Sequence, residues 1–560
     1  MSKTSREHPY ISDFKRAFVA GGISRREFIR YAALLGASMG SISTFLVGCG
    51  SEPAEEATEP SATSSATSGP KRGGVLRCAC PVDRIDHPSR TARTHTANQW
   101  RHVLEYLTLT DRKSITHPYL LEKWEVSDDL KTWTLHLRKN VTWNNGDEFV
   151  ADDVVFTMKE WLNPEVGSSM SGLMSYLTAD GITKKDEHTV VLNLESPQIA
   201  VPEHLFAYPA MIMNHRVFEG DITKAPVGTG PYTMEEYSVD ERAVLKARDD
   251  YWQMGADGKP LPYLDEITYI DVGEEQTAAV AAFKSGEVDT FYDVSPASWQ
   301  AVRDDPETGV DAVTTARTVV LRIRADQEPW SDNRLRKALK ICQNREKILN
   351  LAYFGEGLPG QDTHVAPAHP EYCEIETPAY DPEQAKELLA EAGYPDGMDV
   401  ELNFPTGRDY VKSYAEALKE DAAAAGFRIT LNPMPDSQYY EVWTEIDVGL
   451  TPWGHRALAV MVLPLAYSCN EDGEPAAWNE TRWCDKEFLD LLNKAQGTLD
   501  LEKRREIMCQ LEQIQQERGS IGNAFWMNLW AVYRKGFHGI YMHPSQFDLW
   551  NEVWYDPDTA

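Results

Sequence analysis

Positive charge is scarce in this sequence. Its 560 residues hold 55 Lys and Arg against 87 Asp and Glu, which gives a formal net charge of −32. A surface of that sign repels nucleic acid and anionic lipid headgroups over a screening distance of about 10 Å. The charge therefore argues against a protein that binds a polyanion. It leaves the charge of a small ligand open, because a local pocket can carry the opposite sign.

Signatures of common enzyme classes are missing from residues 73–560. This stretch holds no Gly-x-Ser-x-Gly, no His-Glu-x-x-His, no Walker A loop and no Cys-x-x-Cys. Serine hydrolases, zinc proteases, nucleotide hydrolases and thioredoxin-like proteins depend on these spacings. Paired carboxylates are too abundant in so acidic a chain to nominate a catalytic acid. We therefore expect a protein that is not an enzyme and needs no cofactor.

Cysteine is sparse, with eight residues in the chain. Cys78 and Cys80 stand too close together for an easy internal disulfide and lack the spacing of a zinc or thioredoxin site. Two or more of the others can pair if the protein is exported, but the sequence does not say which. The alternative for several of them is a small, buried apolar side chain.

A long hydrophobic run is missing near the N-terminus. Residues 31–47 are moderately apolar but are diluted by glycine, serine and threonine, so they fall short of the about 20 apolar residues of a spanning helix. Such a segment is typical of a signal peptide. Before it, Ser24-Arg25-Arg26-Glu27-Phe28-Ile29-Arg30 resembles the twin-arginine export signal. Arg25 and Arg26 are the predicted export residues, and an ordinary basic signal region is the alternative.

The segment after the apolar stretch resembles a lipid-attachment site. Leu46-Val47-Gly48-Cys49 is similar to the bacterial lipobox, in which a small residue allows cleavage before a cysteine that carries lipid. We predict residues 1–48 as a twin-arginine lipoprotein signal peptide and Cys49 as the lipidated residue, with a chance cysteine as the alternative. Residues 49–72 are rich in Ser, Thr, Ala, Pro and Glu, which predicts a disordered tether. As a flexible coil it spans roughly 25 Å.

Strands and helices alternate in the rest of the chain. In the clearest unit, Asp381 can cap a helix that ends at Gly393. Residues 400–404 then alternate as a strand, residues 409–425 are helical, and residues 427–431 return as a second strand. That order is a βαβ crossover. It predicts an α/β fold with a parallel or mixed sheet and helices on its faces.

Six motifs follow one another along this body. They are Gly73-Gly74-Val75-Leu76-Arg77, Trp124-Glu125-Val126-Ser127-Asp128-Asp129, residues 133–138, residues 145–154, Pro226-Val227-Gly228-Thr229-Gly230-Pro231-Tyr232, and residues 283–289. Their order resembles that of the family 5 solute-binding proteins, the large dipeptide-, oligopeptide- and nickel-binding proteins of ABC importers. We interpret Gly228 and Gly230 as a tight turn and not as a nucleotide loop, because Pro231 and Thr233 follow where a phosphate loop needs glycine and a helix start.

The resemblance implies a periplasmic-binding-protein type II-like clamp. In such a clamp two α/β lobes close about a hinge over the ligand, and here an extra domain is inserted. By analogy, residues 73–97, 228–320 and 515–560 form lobe I. Residues 98–227 form the extra domain, and residues 321–514 form lobe III, the opposing ligand-binding lobe.

One segment departs from the pattern of the peptide-binding members. Residues 446–456 align with a strand and loop that reads Gly-Trp-x-Ala-Asp, whose aspartate pairs with the amino group of a peptide. Trp453 keeps the aromatic residue, but Arg456 stands at the aspartate's position. A guanidinium repels an ammonium, so Arg456, with His455 beside it, better suits a carboxylate, phosphate or other electron-rich group. Trp453 is a predicted pocket wall. A core position for Trp453, and solvent or an acidic partner for Arg456, are the alternatives.

Further ligand-binding candidates have an aromatic or guanidinium side chain. They are Arg101, Arg322, Arg324, Trp330, Tyr439, Tyr440 and Trp443. Alternation along residues 321–324 places Arg322 and Arg324 on one strand face, toward either the cleft or solvent. His364 and His369 belong to a metal-binding residue type, but we interpret them as surface or supporting side chains and predict no metal site.

The combined expectation is a substrate-binding lipoprotein of an ABC importer. It captures a small solute, which is either peptide-like or of another kind such as an anion, and delivers it to permease and ATPase subunits. We expect an extracytoplasmic monomer that meets the membrane through its lipid alone and binds no nucleic acid. A lipid-anchored sensor without transport and a nickel or metal-chelate binder are the alternatives. Oligopeptides, small acids, sugars and metal chelates all remain open as ligands.

Overall fold

The computed structural model describes residues 69–273, 275–470 and 472–559. Arg25, Arg26, Cys49 and the tether up to residue 68 lie outside the described residues, so the export and lipidation hypotheses stay predictions. Within the described ranges, no helix combines the length and the apolar character needed to cross a membrane.

Strands and helices alternate along the described chain, as predicted. The strands are β1 (Val75–Ala79), β2 (Thr108–Thr110), β3 (Thr116–Pro118), β4 (Leu121–Val126), β5 (Thr132–Leu137), β6 (Leu177–Asp186), β7 (Thr189–Leu194), β8 (Tyr232–Ser238), β9 (Arg242–Ala247), β10 (Glu266–Ile270), β11 (Thr290–Phe291), β12 (Thr308–Ile323), β13 (Gly357–Pro359), β14 (Met398–Pro405), β15 (Phe427–Met434), β16 (Val448–Trp453), β17 (Ile521–Arg534), β18 (Phe537–His538) and β19 (Trp554–Tyr555). The α-helices are α1 (Thr94–Arg101), α2 (Ala151–Leu162), α3 (Met170–Leu173), α4 (Val201–His204), α5 (Gln276–Ser285), α6 (Pro296–Val302), α7 (Asn333–Ile341), α8 (Arg345–Tyr353), α9 (Pro382–Glu391), α10 (Asp409–Ala423), α11 (Asp436–Val442), α12 (Leu463–Tyr467), α13 (Lys486–Gln496) and α14 (Leu501–Arg518).

The βαβ unit predicted near residue 400 is confirmed. Strands β14 and β15 are parallel, with Met398 opposite Phe427, and α10 connects them. The Asp381 side chain accepts a hydrogen bond of 2.9 Å from the backbone N–H of Gln384, so it caps α9 as its position before a proline suggested.

Two long strands hold the main sheet together. In the described chain this sheet has the order β15-β14-β16-β12-β17-β11-β1-β10-β9-β8, with β13 on β17. Residues 308–314 of β12 pair with residues 528–534 of β17, and residues 318–322 pair with residues 521–526. The register shifts between Thr314 and Thr318. One half of the sheet continues through β11 and the other through β16, so the two lobes share these crossing strands. This is the predicted two-lobed α/β fold, and the shift marks the place where a hinge can bend.

A smaller antiparallel sheet lies within the segment predicted as the extra domain. Its order is β4-β5-β7-β6, and α2 packs on it. Its buried side chains, such as Leu135 and Trp161, continue into the same apolar cluster as Leu76 and Leu245 of the main sheet. The inserted segment therefore shares a core with the β1–β10 side of the main sheet, which fixes its position there.

The glycines at 228 and 230 allow a close approach between two stretches of backbone. A Cβ on Gly228 would lie 1.8 Å from the carbonyl oxygen of Val103, and one on Gly230 would lie 2.4 Å from that of His102. Neither glycine has a positive φ. The glycines are required because the chain passes against the backbone that follows α1.

The structure resolves the cysteine pattern that the sequence left open. Disulfides join Cys373 to Cys509 and Cys469 to Cys484. The other described cysteines, which are Cys78, Cys80 and Cys342, are free and buried. Burial raises the pKa of each free thiol, so these three side chains pack as small apolar groups.

Candidate ligand-binding site

A chain of hydrogen-bonded polar side chains lies at the register shift of β12, the candidate hinge. Arg317, which lies in the register shift of β12, donates through Nη1 to Oε1 of Gln546 at 3.1 Å. Gln546 donates through Nε2 to Oδ1 of Asp293 at 2.5 Å. Gln546 and Asp293 both have left-handed backbones, with φ of 60° and 52°. Non-glycine residues in this region carry strain, which is common at functional sites.

The opposing side is formed by the carboxyl ends of the parallel strands. Arg408 follows β14, with its Nη1 at 3.8 Å from Oδ2 of Asp436. Tyr410 is the second residue of α10, and its ring packs edge-on against that of Tyr353. Burial raises the pKa of the Tyr410 phenol, while the charges of Arg408 and Arg317 oppose that rise. Tyr410 is therefore within electrostatic reach of both sides of the hinge. Ligands of open α/β sheets bind at this end of the strands.

An aromatic group continues along the same edge from Trp453, the last residue of β16. Trp453 pairs with Thr318 of the crossing strand and is 8% exposed. Its ring centroid lies 6.4 Å from that of Trp443 and 6.1 Å from that of Trp478. Tyr440 extends the row, 6.1 Å from Trp443 and 41% exposed. The structure thus brings the predicted Trp453, Trp443 and Tyr440 together.

A buried carboxylate fixes the position of Trp453. Glu480 accepts hydrogen bonds from Nε1 of Trp453 at 2.8 Å and from the hydroxyl of Thr451 at 2.5 Å. Nε of Arg322 lies 3.6 Å from the same carboxylate. Burial raises the pKa of Glu480, and the Arg322 charge opposes the rise. This pairing holds the indole in one orientation.

Arg322 and Tyr439 are buried side chains that hold the backbone of this aromatic row in place. Both are fully buried. The guanidinium of Arg322 donates to the backbone carbonyls of Trp443 and Ile446, and the Tyr439 hydroxyl bonds the Thr451 hydroxyl at 2.8 Å. Neither side chain has a free face for a ligand in this conformation.

Arg324 and Trp330 lie at the opposite ends of these strands. Arg324 pairs with Asp326 at 2.7 Å and reaches Glu445. Trp330 lines a cavity of about 600 Å³ at the amino ends of β14 and β16, together with acidic residues such as Asp399 and Asp447. β16 spans about 16 Å between its two ends, so this cavity is separate from the hinge.

Arg101 occupies a third place, in the core behind the Gln546 loop. Its guanidinium carbon lies 4.0 Å from the ring centroid of Phe547, and its Nε donates to Asn98 at 2.9 Å. Asn98 in turn donates to the carbonyl of Gln546 at 2.8 Å. Arg101 is therefore connected to Gln546 through Asn98.

His455 and Arg456 continue the chain from Trp453 toward the inserted segment. Nδ1 of His455 accepts a hydrogen bond of 3.1 Å from the backbone N–H of Ala316, inside the register shift. Burial lowers the pKa of His455 well below its usual value, which keeps the imidazole neutral so that Nδ1 can accept. His369 bonds the carbonyl of Arg456 at 3.1 Å.

The guanidinium of Arg456 has no acidic partner within the described ranges. No described carboxylate lies within 4.0 Å of its nitrogens, and its side-chain hydrogen bond is a 3.4 Å contact to the carbonyl of His455. Burial lowers its pKa, and the phenol of Tyr208 opposes that shift. Burial lowers the pKa of His204 to about 3, and the charge of Arg456 adds to that shift. Arg456 is thus a half-buried cation without an acidic partner in the described chain, within electrostatic influence of His204 and Tyr208.

Sequence reasoning missed Arg317, Arg408, Tyr410 and Trp478. Arg408 was within reach, since it directly follows a predicted strand at the carboxyl end of a parallel pair. No local sequence pattern marked Arg317 or Trp478. The position of Arg317 depends on a register shift between two strands, and that of Trp478 depends on a disulfide. Within the described part of the chain, no cluster of three or more His, Cys, Asp or Glu is arranged to hold a metal ion.

Comparisons with known proteins agree on one family. The family model "Bacterial extracellular solute-binding proteins, family 5 Middle" matches residues 116–472. The Di/tripeptide-binding protein 1 of Pseudomonas aeruginosa is 28% identical over 469 residues, which cover 78% of this chain and 85% of that protein.

Solved structures share the fold at lower identity. HbpA2 from Haemophilus parasuis superimposes with a TM-score of 0.77 at 21% identity and covers 86% of this chain and 100% of its own. AgaA from A.tumefacien R10, in complex with agropinic acid, has a TM-score of 0.67 at 22% identity and covers 86% of this chain and 99% of its own.

Proposed function

We propose a ligand and a mode of capture from the premise that this chain belongs to the bacterial extracellular solute-binding proteins of family 5. Its role is substrate binding, and its body is extracytoplasmic. We propose further that it catalyses no reaction and works as a monomer that delivers its solute to the permease and ATPase subunits of an ABC importer.

The proposed ligand is a small solute with a carboxylate or another anionic group. The unpaired guanidinium of Arg456 carries this proposal, because an uncompensated half-buried cation is costly unless an anion joins it. Arg317 and Arg408 add positive charge at the hinge. Among relatives, one is named for di- and tripeptides and one solved protein holds agropinic acid, so both ligand classes serve as probes.

The proposed mode of capture is closure of two lobes about β12 and β17. The division into lobe I (73–97, 228–320 and 515–560), the extra domain (98–227) and lobe III (321–514) stays a prediction. The shared crossing strands support it, because few strands connect the two halves of the sheet. The proposed ligand contacts on lobe III are Trp453, Trp443, Tyr440 and Arg456.

The proposed membrane attachment is a lipid on Cys49, reached through a twin-arginine signal with Arg25 and Arg26. It rests on the sequence motifs alone. A tether of about 25 Å would let the body meet its permease while anchored.

A thermal-shift experiment tests the anionic ligand. Residues 73–560 would be mixed with a free dipeptide, the same dipeptide N-acetylated, and a small dicarboxylic acid. We expect the two probes without an amine to give the larger stabilisation, and Arg456→Gln to abolish most of it. The control Arg324→Gln removes a paired guanidinium at the other end of the strands and should leave the stabilisation by each probe unchanged. A larger shift with the free dipeptide, unchanged in Arg456→Gln, contradicts the proposal.

A further inference from the structure

A disulfide-closed loop carries one of the most exposed tryptophans beside the hinge. The bond between Cys469 and Cys484 closes the segment from 469 to 484. Trp478 lies on that segment and is 47% exposed. An exposed indole of this size costs free energy in water unless it packs on a partner, and large exposed aromatic groups mark binding surfaces.

Both ends of the loop are fixed to the body. Arg482 pairs with Glu445 at 2.5 Å and donates to the carbonyl of Thr444 at 3.3 Å. Asn479 donates to the carbonyls of Ser468 at 3.2 Å and Trp483 at 3.1 Å. Trp478 therefore stands on a clamped base, and its exposure is a property of a held conformation.

Trp478 completes a group of three indoles. Its ring centroid is 6.0 Å from that of Trp443, with the planes at 85°, and 6.1 Å from that of Trp453, with the planes at 66°. The third pair, Trp443 and Trp453, is 6.4 Å apart. Rings at these distances are in contact with one another. An aromatic cage around a cation needs a gap between its rings for the ammonium group, and these three indoles leave none. The three indoles form a wall.

The row of aromatic side chains that begins with these indoles ends close to a charged group of the candidate hinge, Arg408. Tyr440 continues the row from Trp443. Burial raises the pKa of the Tyr440 phenol, and the charge of Arg408 opposes that rise. A ligand with its anionic group among the arginines of the proposed site, which are Arg456, Arg317 and Arg408, would lay its remaining part along the indoles. Aromatic groups gain from offset or edge contacts with such rings beyond the apolar area they bury.

We propose that the disulfide-closed loop sets the selectivity of the cleft: Trp478, held against Trp443 and Trp453, forms a subsite for a planar aromatic group of the ligand. This subsite rests on the proposed capture of an anionic solute at the hinge, and it adds the chemistry of the ligand's uncharged part. The disulfide acts by fixing Trp478, so its loss lowers affinity for aromatic ligands specifically.

Titration calorimetry on residues 73–560 tests the subsite with N-acetyl-Ala-Phe and N-acetyl-Ala-Ala, which differ in one phenyl ring. We expect the dissociation constant of the phenyl probe to be lower than that of the methyl probe by about 10-fold. Trp478→Ala and the double variant Cys469→Ser/Cys484→Ser should remove most of that ratio. Trp478→Phe should keep most of it. The double variant Cys373→Ser/Cys509→Ser removes the other disulfide and should leave the ratio unchanged.

Near-UV circular dichroism tests the same wall without a ligand. The coupled indole signal should fall in Trp478→Ala and in Cys469→Ser/Cys484→Ser, and should persist in Cys373→Ser/Cys509→Ser. An unchanged signal overturns the proposal, as does a phenyl-to-methyl ratio that survives Trp478→Ala. Binding of neither probe also overturns the subsite, and then thermal shifts by the dicarboxylic acid alone decide whether the anionic function stands.

Discussion

The backbone N–H of Ala316 donates a hydrogen bond of 3.1 Å to Nδ1 of His455. Ala316 lies inside the register shift of β12, and His455 precedes the guanidinium proposed to meet the ligand. This bond therefore connects the bending part of a crossing strand to the ligand-facing loop. A movement of the strand that keeps this bond would also move His455 and Arg456.

Replacement of His455 tests this connection. His455→Phe leaves the buried N–H of Ala316 without an acceptor, which costs about 1–3 kcal/mol of unfolding free energy. His455→Asn retains a carbonyl oxygen that can accept in its place and should cost less. Denaturant unfolding of both variants measures the difference. Equal losses would show that packing, and not the hydrogen bond, holds the loop.

A buried carboxyl group should give the protein a pH-dependent stability. Burial raises the pKa of Glu512 to about 9, and the nearby charge of Glu371 adds to the rise. The unfolded chain loses this proton at pH above about 4.3, so the folded state is progressively penalised as pH rises from there toward 9. The stability that the protonated Glu512 contributes is fully present below its unfolded pKa and is lost as the pH rises toward its folded pKa.

Glu512→Gln removes that penalty. We expect little change in unfolding free energy at pH 4 and a gain of about 5 kcal/mol at pH 8. Chemical unfolding at pH 4, 6 and 8 measures the trend. A gain of the same size at all three pH values would contradict the shifted pKa.

The two glycines beside the chain after α1 give a packing test. Gly228→Ala places a methyl group 1.8 Å from the Val103 carbonyl oxygen, so the backbone must move. Overpacking of this kind costs about 1–3 kcal/mol or more. Gly454→Ala is the matched control, since a Cβ there meets no atom within 4 Å. Thermal unfolding should separate the two variants, and equal midpoints would refute the close approach.

The N-terminal hypothesis has its own test in cells. Cys49→Ser should release the body from the membrane fraction, and Arg25→Lys/Arg26→Lys should retain it inside the cell. Fractionation with an antibody to the body measures both. If Cys49→Ser stays in the membrane fraction, lipid on this residue is not the anchor.

Local signals in the sequence predicted much of the fold. The cap at Asp381 and the alternation from residue 400 depend only on neighbouring residues, so the βαβ unit could be recognised. Alternation also placed Arg322 and Arg324 on one strand face, but their surroundings come from Glu480 and Glu445, which are far away in the chain. Trp478 was missed for the same reason, since a disulfide and two distant tryptophans give it a role.

The central claim is that Arg456 holds an anionic solute in the cleft. Native mass spectrometry of the body purified without added ligand tests it most directly, in the unchanged protein, Arg456→Gln and Arg324→Gln. The account predicts a co-purifying small solute that carries an anionic group, absent from Arg456→Gln and present in Arg324→Gln. A solute that stays bound at the same occupancy in Arg456→Gln would contradict it.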